Sequence, residues 1–234
     1  MELTADELVR RVLYRDALML VLDMPAGLAV HVGPEGGPNL DTMMGALRFG
    51  LPRAPRLAHR LDRATSGCLV LGRHRQALDH LWRPFAAGHF TKTYWAVVEG
   101  RPPDEAGTVD LALGRRSDDP RSWWMKVGPA GQPAITDYRV RGVEGGLSWI
   151  ELSPRTGRTH QIRVHCAALG CPLLGDAIYG AGGTEPLHLY ARAVAVPLYA
   201  SRPAIEVTAP VPAHMAAFLA RLGLREVPPD GAGC

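Results

Sequence analysis

His59-Arg60-Leu61-Asp62-Arg63-Ala64-Thr65-Ser66-Gly67 sets a single carboxylate between two arginines and closes on small residues and a glycine. Cys68-Leu69-Val70-Leu71 follows directly and reads as a buried strand. The Thr-Ser-Gly step carries turn chemistry and lets the backbone come close to a neighbour. Asp62 is therefore expected on a loop at the mouth of a core strand, a place where scaffolds hold reactive side chains. Two readings stay open on these residues alone: a reactive carboxylate, or a structural Asp–Arg pair at a loop corner.

Working outward, Thr4 is expected to cap a helix over 4–10, and Val12–Tyr14 and Leu18–Leu22 to form strands around Arg15-Asp16. Pro25-Ala26-Gly27 turns the chain, and Gly33 to Gly37 reads as a loop. Leu40, Met43, Met44 and Leu47 share a helical face, which predicts one helix over 39–49. Downstream, Leu78, Leu81, Trp82 and Phe85 predict a core-facing helix over 74–85, with Pro84 straining or ending its last turn. Lys92 to Gly100 is a strand by composition, with Tyr94, Ala96 and Val98 on one face. Tyr94 there reads either as a core aromatic with a wet hydroxyl or as a surface for stacking.

Residues 101–133 are rich in Pro, Gly, Asp and Arg and predict loops and a weak hairpin, with Trp123 to Val127 as one strand. The adjacent Trp123 and Trp124 read either as surfaces on which bases stack or as one buried and one half-exposed side chain, and the second is expected. Thr136–Val143 and Leu147–Leu152 pair across Glu144-Gly145-Gly146. In Thr156-Gly157-Arg158-Thr159-His160-Gln161-Ile162-Arg163-Val164-His165, Thr159 is the expected N-cap of a helix over 160–169, stopped by Gly170. Arg163 then lies among apolar neighbours and needs a partner, because an unpaired buried charge is costly. Further strands begin near Leu187 and Pro203, and a closing helix spans Ala213 to Leu222.

Composition narrows the class. A chain of 234 residues, 47% hydrophobic and 21% charged, suits a soluble enzyme built as one large domain with a full core or as two small lobes. Net charge is only +3, so any anion-binding face must be local. Arg53, Arg56, Arg60, Arg63, Arg73, Arg75 and Arg83 cluster against only Asp62 and Asp79, which can make such a face. Cys68, Cys166, Cys171 and Cys234 have no disulfide spacing and read as reduced thiols. His160, His165, Cys166 and Cys171 fit no usual zinc pattern. There is no signal-peptide pattern at the acidic N-terminus and no apolar run of membrane length, so a cytoplasmic protein is expected.

The Asp62 stretch resembles the His-Arg-Leu-Asp-x-x-Thr-Ser-Gly signature of the RluA family of pseudouridine synthases. Pro25-Ala26-Gly27 to His31, Lys92 to Gly100, Thr156 to His165, Leu174-Gly175-Asp176 with Tyr179-Gly180, and Leu187-His188 continue the family pattern in order. One departure is Met24, where the family usually has lysine. The resemblance implies an α+β fold: a long mixed, mostly antiparallel bent sheet with flanking helices. It implies a catalytic domain over 12–224, between an N-terminal extension (1–11) and a C-terminal tail (225–234), without an added S4 domain.

It also implies an isomerase that turns uridine of tRNA and/or rRNA into pseudouridine after base flipping, with no cofactor; from the residues themselves no metal and no membrane partner are expected, and a monomer is favoured. Asp62, Tyr94 and Arg163 become the catalytic residues, with Arg163 paired to Asp62. Arg60, His59, Arg63, Thr65, Arg158, His160, Gln161 and Arg56 become the RNA-binding set, and Asp176 belongs to a structural turn. A noncatalytic RNA-binding or RNA-chaperone protein on the same fold is the alternative. A nucleoside or glycoside enzyme using Asp62 and Asp176 as a carboxylate pair is another.

Overall fold

The computed structural model describes residues 3–30, 39–86, 90–119, 123–199 and 201–225. In chain order the elements are α1 (Ala5–Arg10), β1 (Val12–Arg15), β2 (Met19–Met24) and α2 (Leu40–Met43), which runs into a 3-10 turn (Met44–Arg48). Then come β3 (Arg56–Leu57), β4 (Ser66–Gly72), α3 (Arg75–Ala86), β5 (Thr91–Glu99) and β6 (Ala106–Asp110). A small hairpin, β7 (Leu113–Arg115) and β8 (Met125–Val127), precedes β9 (Ile135–Glu144) and β10 (Leu147–Pro154). The chain closes through α4 (Gln161–Ala168), β11 (Leu189–Val196), β12 (Ile205–Thr208) and α5 (Ala213–Arg221). His31 and the loop expected over Gly33–Gly37 lie outside the described residues, as does the side chain of Phe85.

The mixed sheet runs β1-β2-β4-β11-β5-β10-β9-β6, with β3 added on β4 and β12 on β11. Neighbours are antiparallel except β4 and β11, whose parallel ladder joins Ser66 to Tyr190 and Gly67 to Ala191. That short ladder is the seam between the two halves of the sheet, and Asp62 lies just before it. Gly67 is required there. Its φ is +105°, and a Cβ would fall 2.2 Å from the Ala191 carbonyl oxygen. The close approach expected of the Thr-Ser-Gly step is thus the joining of the two halves.

Both sheet faces are covered, which is why β4 is a continuous buried run rather than an alternating one. Leu69 and Leu71 of β4 face a core shared with Tyr94, Ala96 and Val98 of β5 and Ile162 and Cys166 of α4. Cys68 and Val70 face the opposite core, built with Leu81 of α3 and Met215 and Leu219 of α5. Fully burying one such aliphatic side chain contributes about 1.5–3 kcal/mol.

The expected α1 carries a capping box, in which Thr4 Oγ1 accepts from Glu7 N and Glu7 Oε2 accepts from Thr4 N. Leu8 is fully buried in the core that holds Tyr94, so this helix packs with the domain rather than extending from it. Two expectations change. The single helix over 39–49 breaks into α2 and a 3-10 turn, with Leu47 off helical geometry and Phe49 left-handed at the end. Gly45 in its middle weakens helix propagation there. On α3, Leu81 is buried but Trp82 is 58% exposed. One residue advances about 100° around a helix, so a neighbour of a buried leucine need not share its stripe.

Candidate active site

Asp62, Tyr94 and Arg163, from three motifs far apart in sequence, line one cleft of about 350 Å³. The loop preceding β4 supplies Asp62 and β5 supplies Tyr94. The segment from Thr156 into α4 supplies the far wall and Arg163. His59, Arg60, Thr65, Arg158, His160 and Gln161 also line it. Arg56 and Arg63 do not. Arg56 is an exposed residue of β3, and Arg63 Nε donates to the Gly27 carbonyl at 3.1 Å, pinning the Pro-Ala-Gly turn to the Asp62 loop.

The expected Arg163–Asp62 pair is replaced by another. Arg163 donates from Nε and Nη2 to the two oxygens of Asp176 at 2.8 and 2.7 Å, a planar fork on a planar carboxylate. Asp176 Oδ1 also accepts the backbone N–H groups of Ile178 and Tyr179, so the turn presents its carboxylate already oriented. Burial works against both charges. For Arg163 the hydrogen bonds and charge of Asp176, with Asp62 adding to them, raise the guanidinium pKa overall. For Asp176 the guanidinium and the two amides lower the carboxyl pKa overall. Asp62 acts on Arg163 through space, from across the cleft. Asp176 is 1% exposed and fully engaged, so an Asp62–Asp176 carboxylate pair working on a sugar is not available.

His160 stands between these groups. It takes φ +53°, a strained left-handed conformation for a non-glycine residue, and it is the N-cap of α4 in place of the expected Thr159. Tyr179 Oη accepts from Met125 N at 2.8 Å and lies 2.8 Å from His160 Nδ1. The phenol proton can go to Nδ1, and the carboxylate oxygen facing Nε2 favours the neutral tautomer with its N–H on Nε2. That Nε2 faces Asp62 Oδ2 at 3.9 Å. Burial, opposed by the charge of Asp62, lowers the imidazole pKa overall and favours this neutral form.

Two predicted RNA contacts have structural work. His59 Nε2 accepts the N–H of Val70 at 3.0 Å, fixing the Asp62 loop onto β4. Burial, with Lys92 nearby, pushes its pKa down to about 4. Gln161 Oε1 accepts from Thr156 Oγ1 and Arg158 N, while its amide nitrogen donates to Ile135 O and Thr136 Oγ1. It holds the cleft wall rather than offering its amide to a ligand. By contrast, the buried Thr65 Oγ1 has no hydrogen-bond partner among the described residues.

Trp82 and Lys92 are among the cleft residues that sequence reasoning did not assign to the site. Lys92 Nζ donates to Thr156 O at 3.5 Å, and burial lowers its pKa. Tyr94 is 9% exposed. Burial first, then the charge of Asp62, raises its pKa, so it is a neutral phenol. Among the described residues no group of three or more His, Cys, Asp or Glu is placed to hold a metal ion.

Three imidazoles with lowered pKa values make stability depend on pH. His59, His165 and His188 all have pKa values lowered chiefly by burial. The unfolded chain takes up these protons near pH 6.5, the folded chain only lower, at about 4 for His59. Stability should therefore fall as pH drops from about 6.5 to about 4. Urea midpoints across that window measure it; an unchanged midpoint would show that these rings are not held neutral.

Residues 19–168 match the family model described as RNA pseudouridylate synthase. An uncharacterised RNA pseudouridine synthase of Zymomonas mobilis is 37% identical over 88% of this chain and 95% of its own. Ribosomal large subunit pseudouridine synthase C of Vibrio cholerae is 34% identical over 92% of this chain and 70% of its own. The solved structure of human RNA pseudouridylate synthase domain containing 4 superposes with a TM-score of 0.79 at 27% identity, covering 95% of this chain and 96% of that one.

Proposed function

This chain belongs to the RNA pseudouridine synthase family, of the RluA type, and on that premise we propose that Asp62 is its catalytic carboxylate and that its substrate is a uridine flipped out of tRNA or ribosomal RNA. The observation that carries the proposal is the convergence of Asp62, Tyr94 and Arg163 on one cleft. As an isomerase the protein breaks the bond from ribose C1′ to uracil N1 and joins C1′ to C5. The C5 proton leaves and N1 gains one, so no redox partner or group donor is consumed. Asp62 would act at C1′, on the base or on a sugar proton; each route needs an ionised carboxylate beside the nucleoside.

Arg163, fixed by Asp176, would supply positive charge toward that carboxylate at no cost in side-chain ordering during reaction. Neutral His160 offers Nε2–H toward Asp62 and would hold the carboxylate or a sugar oxygen in place. Tyr94, a lining residue of the cleft, would stack on the uracil, and base–aromatic stacking is worth about 1–3 kcal/mol. Arg60 and Arg158 line the cleft and would take phosphates, while Arg60 would also fill the space left by the extruded base. Thr65 Oγ1 would bond the ligand. The expected setting is the cytoplasm and the expected state a monomer. The noncatalytic RNA-binding alternative would leave the Asp62 carboxylate, set in a cleft meant for an anion, without a task.

The test is conversion itself. Unmodified tRNA and ribosomal transcripts, incubated with the protein and digested to nucleosides, should yield pseudouridine on chromatography. Binding without any pseudouridine would favour the noncatalytic alternative. Tyr94→Phe keeps the stacking ring and removes the hydroxyl. RNA affinity should stay within about threefold, while turnover should fall by about 10²–10⁴-fold if the hydroxyl moves a proton. Full turnover would limit Tyr94 to stacking.

A further inference from the structure

A second hollow of about 400 Å³ adjoins the cleft. Gly157, Arg158 and Thr159 line both, so this strip of chain is a partition between neighbouring pockets. The second hollow is completed by Leu113, Arg115 and Trp123, from β7 and the segment entering β8.

Its chemistry is not that of a core. Trp123 is 52% exposed and Trp124 46%, against the expectation that one would be buried. The hairpin's own packing rests on Leu113 with Ala134 and Val164, and on Met125 at its edge, so neither indole is needed to hold it. Arg116 lies 5.4 Å over the Trp124 ring, which leaves Trp123 as the indole that lines the hollow. Arg115 and Arg158 supply positive charge. Gly157 contributes bare backbone to the partition, and an added Cβ there would meet nothing nearer than Lys92 Nζ at 3.9 Å.

The hairpin is also tied to the reaction cleft. Met125 N–H donates to Tyr179 Oη, which contacts His160, which faces Asp62. The position of the hollow is thereby fixed relative to Asp62.

A planar aromatic surface beside guanidinium groups and exposed backbone is the chemistry that receives a single-stranded nucleotide: the base stacks and the phosphate pairs with arginine. Resting on the reading that the adjoining cleft takes a uridine of RNA, we propose that this hollow is a subsite for an unpaired nucleotide flanking the target. Its base stacks on Trp123, and its phosphate is held by Arg115 and Arg158. The protein then selects uridines with an unstacked neighbour, and selection is by shape rather than by hydrogen bonding to one base.

The experiment uses the full chain in an Asp62→Asn background, so that binding is read without turnover. Fluorescent hexauridylate is compared with a hexamer that carries one central uridine among abasic riboses, which retains every phosphate. The parent should bind hexauridylate about tenfold more tightly than the abasic hexamer. Trp123→Ala should bind the two within about twofold, and Trp123→Phe should keep most of the preference. A Trp123→Ala protein that keeps the full preference, or a parent that has none, overturns the subsite. The two readings separate cleanly. Pseudouridine formed by a protein whose preference ignores Trp123 removes the subsite alone. A Trp123-dependent preference in a protein that isomerises no RNA keeps the subsite and removes the isomerase reading.

Discussion

Asp62→Asn should bind RNA as the parent does and form no measurable pseudouridine. Asparagine is nearly the same size, and the loop is held by backbone and neighbours rather than by the carboxylate. Thr65 N–H bonds the Asp62 main-chain oxygen at 2.8 Å, and His59 anchors the loop to β4. The fold and cleft should therefore persist. What is lost is the negative charge and the nucleophilic or basic oxygen. Losing a group that reacts directly typically costs on the order of 10⁴–10⁶-fold in rate. RNA is itself anionic, so removing a carboxylate from the cleft should leave affinity equal or slightly improved. Turnover above about one percent of the parent's would take Asp62 out of the chemistry.

The second large effect concerns the pair that sequence placed elsewhere. Asp176→Asn keeps an acceptor for the Ile178 and Tyr179 amides but leaves the Arg163 guanidinium buried against a neutral side chain. Breaking a buried pair from one side costs about 3–5 kcal/mol. For a domain of this size that lowers the melting midpoint by on the order of 10 °C. Arg163→Met combined with Asp176→Leu should be less destabilised than Asp176→Asn alone, since no orphaned charge remains. That double variant should nevertheless be inactive, because the oriented Arg163 guanidinium that acts on Asp62 is gone. Arg163→Lys keeps a charge but cannot make the fork, and should lose turnover with a smaller loss of stability. Melting curves and initial rates on the same preparations decide this. An Asp176→Asn protein as stable as the parent would mean that the fork is not what holds Arg163.

These contrasts show what a one-dimensional pattern can carry. The loop–strand unit around Asp62 was readable because turn residues abut an apolar run. The β5 face was readable because strand period is strict, and Tyr94, Ala96 and Val98 do share one core. The β9–β10 hairpin was readable from Gly145-Gly146, both with positive φ. The need of Arg163 for a partner was also legible, but its identity was not. Spacing says nothing of which of two aspartates lies nearer, and the choice is made by a turn that aims two amides at Asp176.

The same limit explains His160. Thr159 has the better N-cap chemistry, yet a left-handed histidine takes the position because its ring is held by Tyr179 on one side and faces Asp62 on the other. The core-facing reading of Trp82, and the expectation that one of Trp123 and Trp124 is buried, fail for a different reason. Large aromatics are usually core residues, and their exposure beside the cleft reflects what they face rather than any local pattern.

The central claim is most directly tested with RNA carrying tritium at uridine C5, separated into tRNA and ribosomal fractions. Joining C1′ to C5 must expel that tritium into water, whichever route Asp62 takes. Release from one fraction or both by the parent, absent with Asp62→Asn, is the result expected here, and it would identify the substrate class at once. Tritium retained in both fractions, under conditions where the protein binds RNA, would contradict the assignment of this cleft as a uridine-isomerising site.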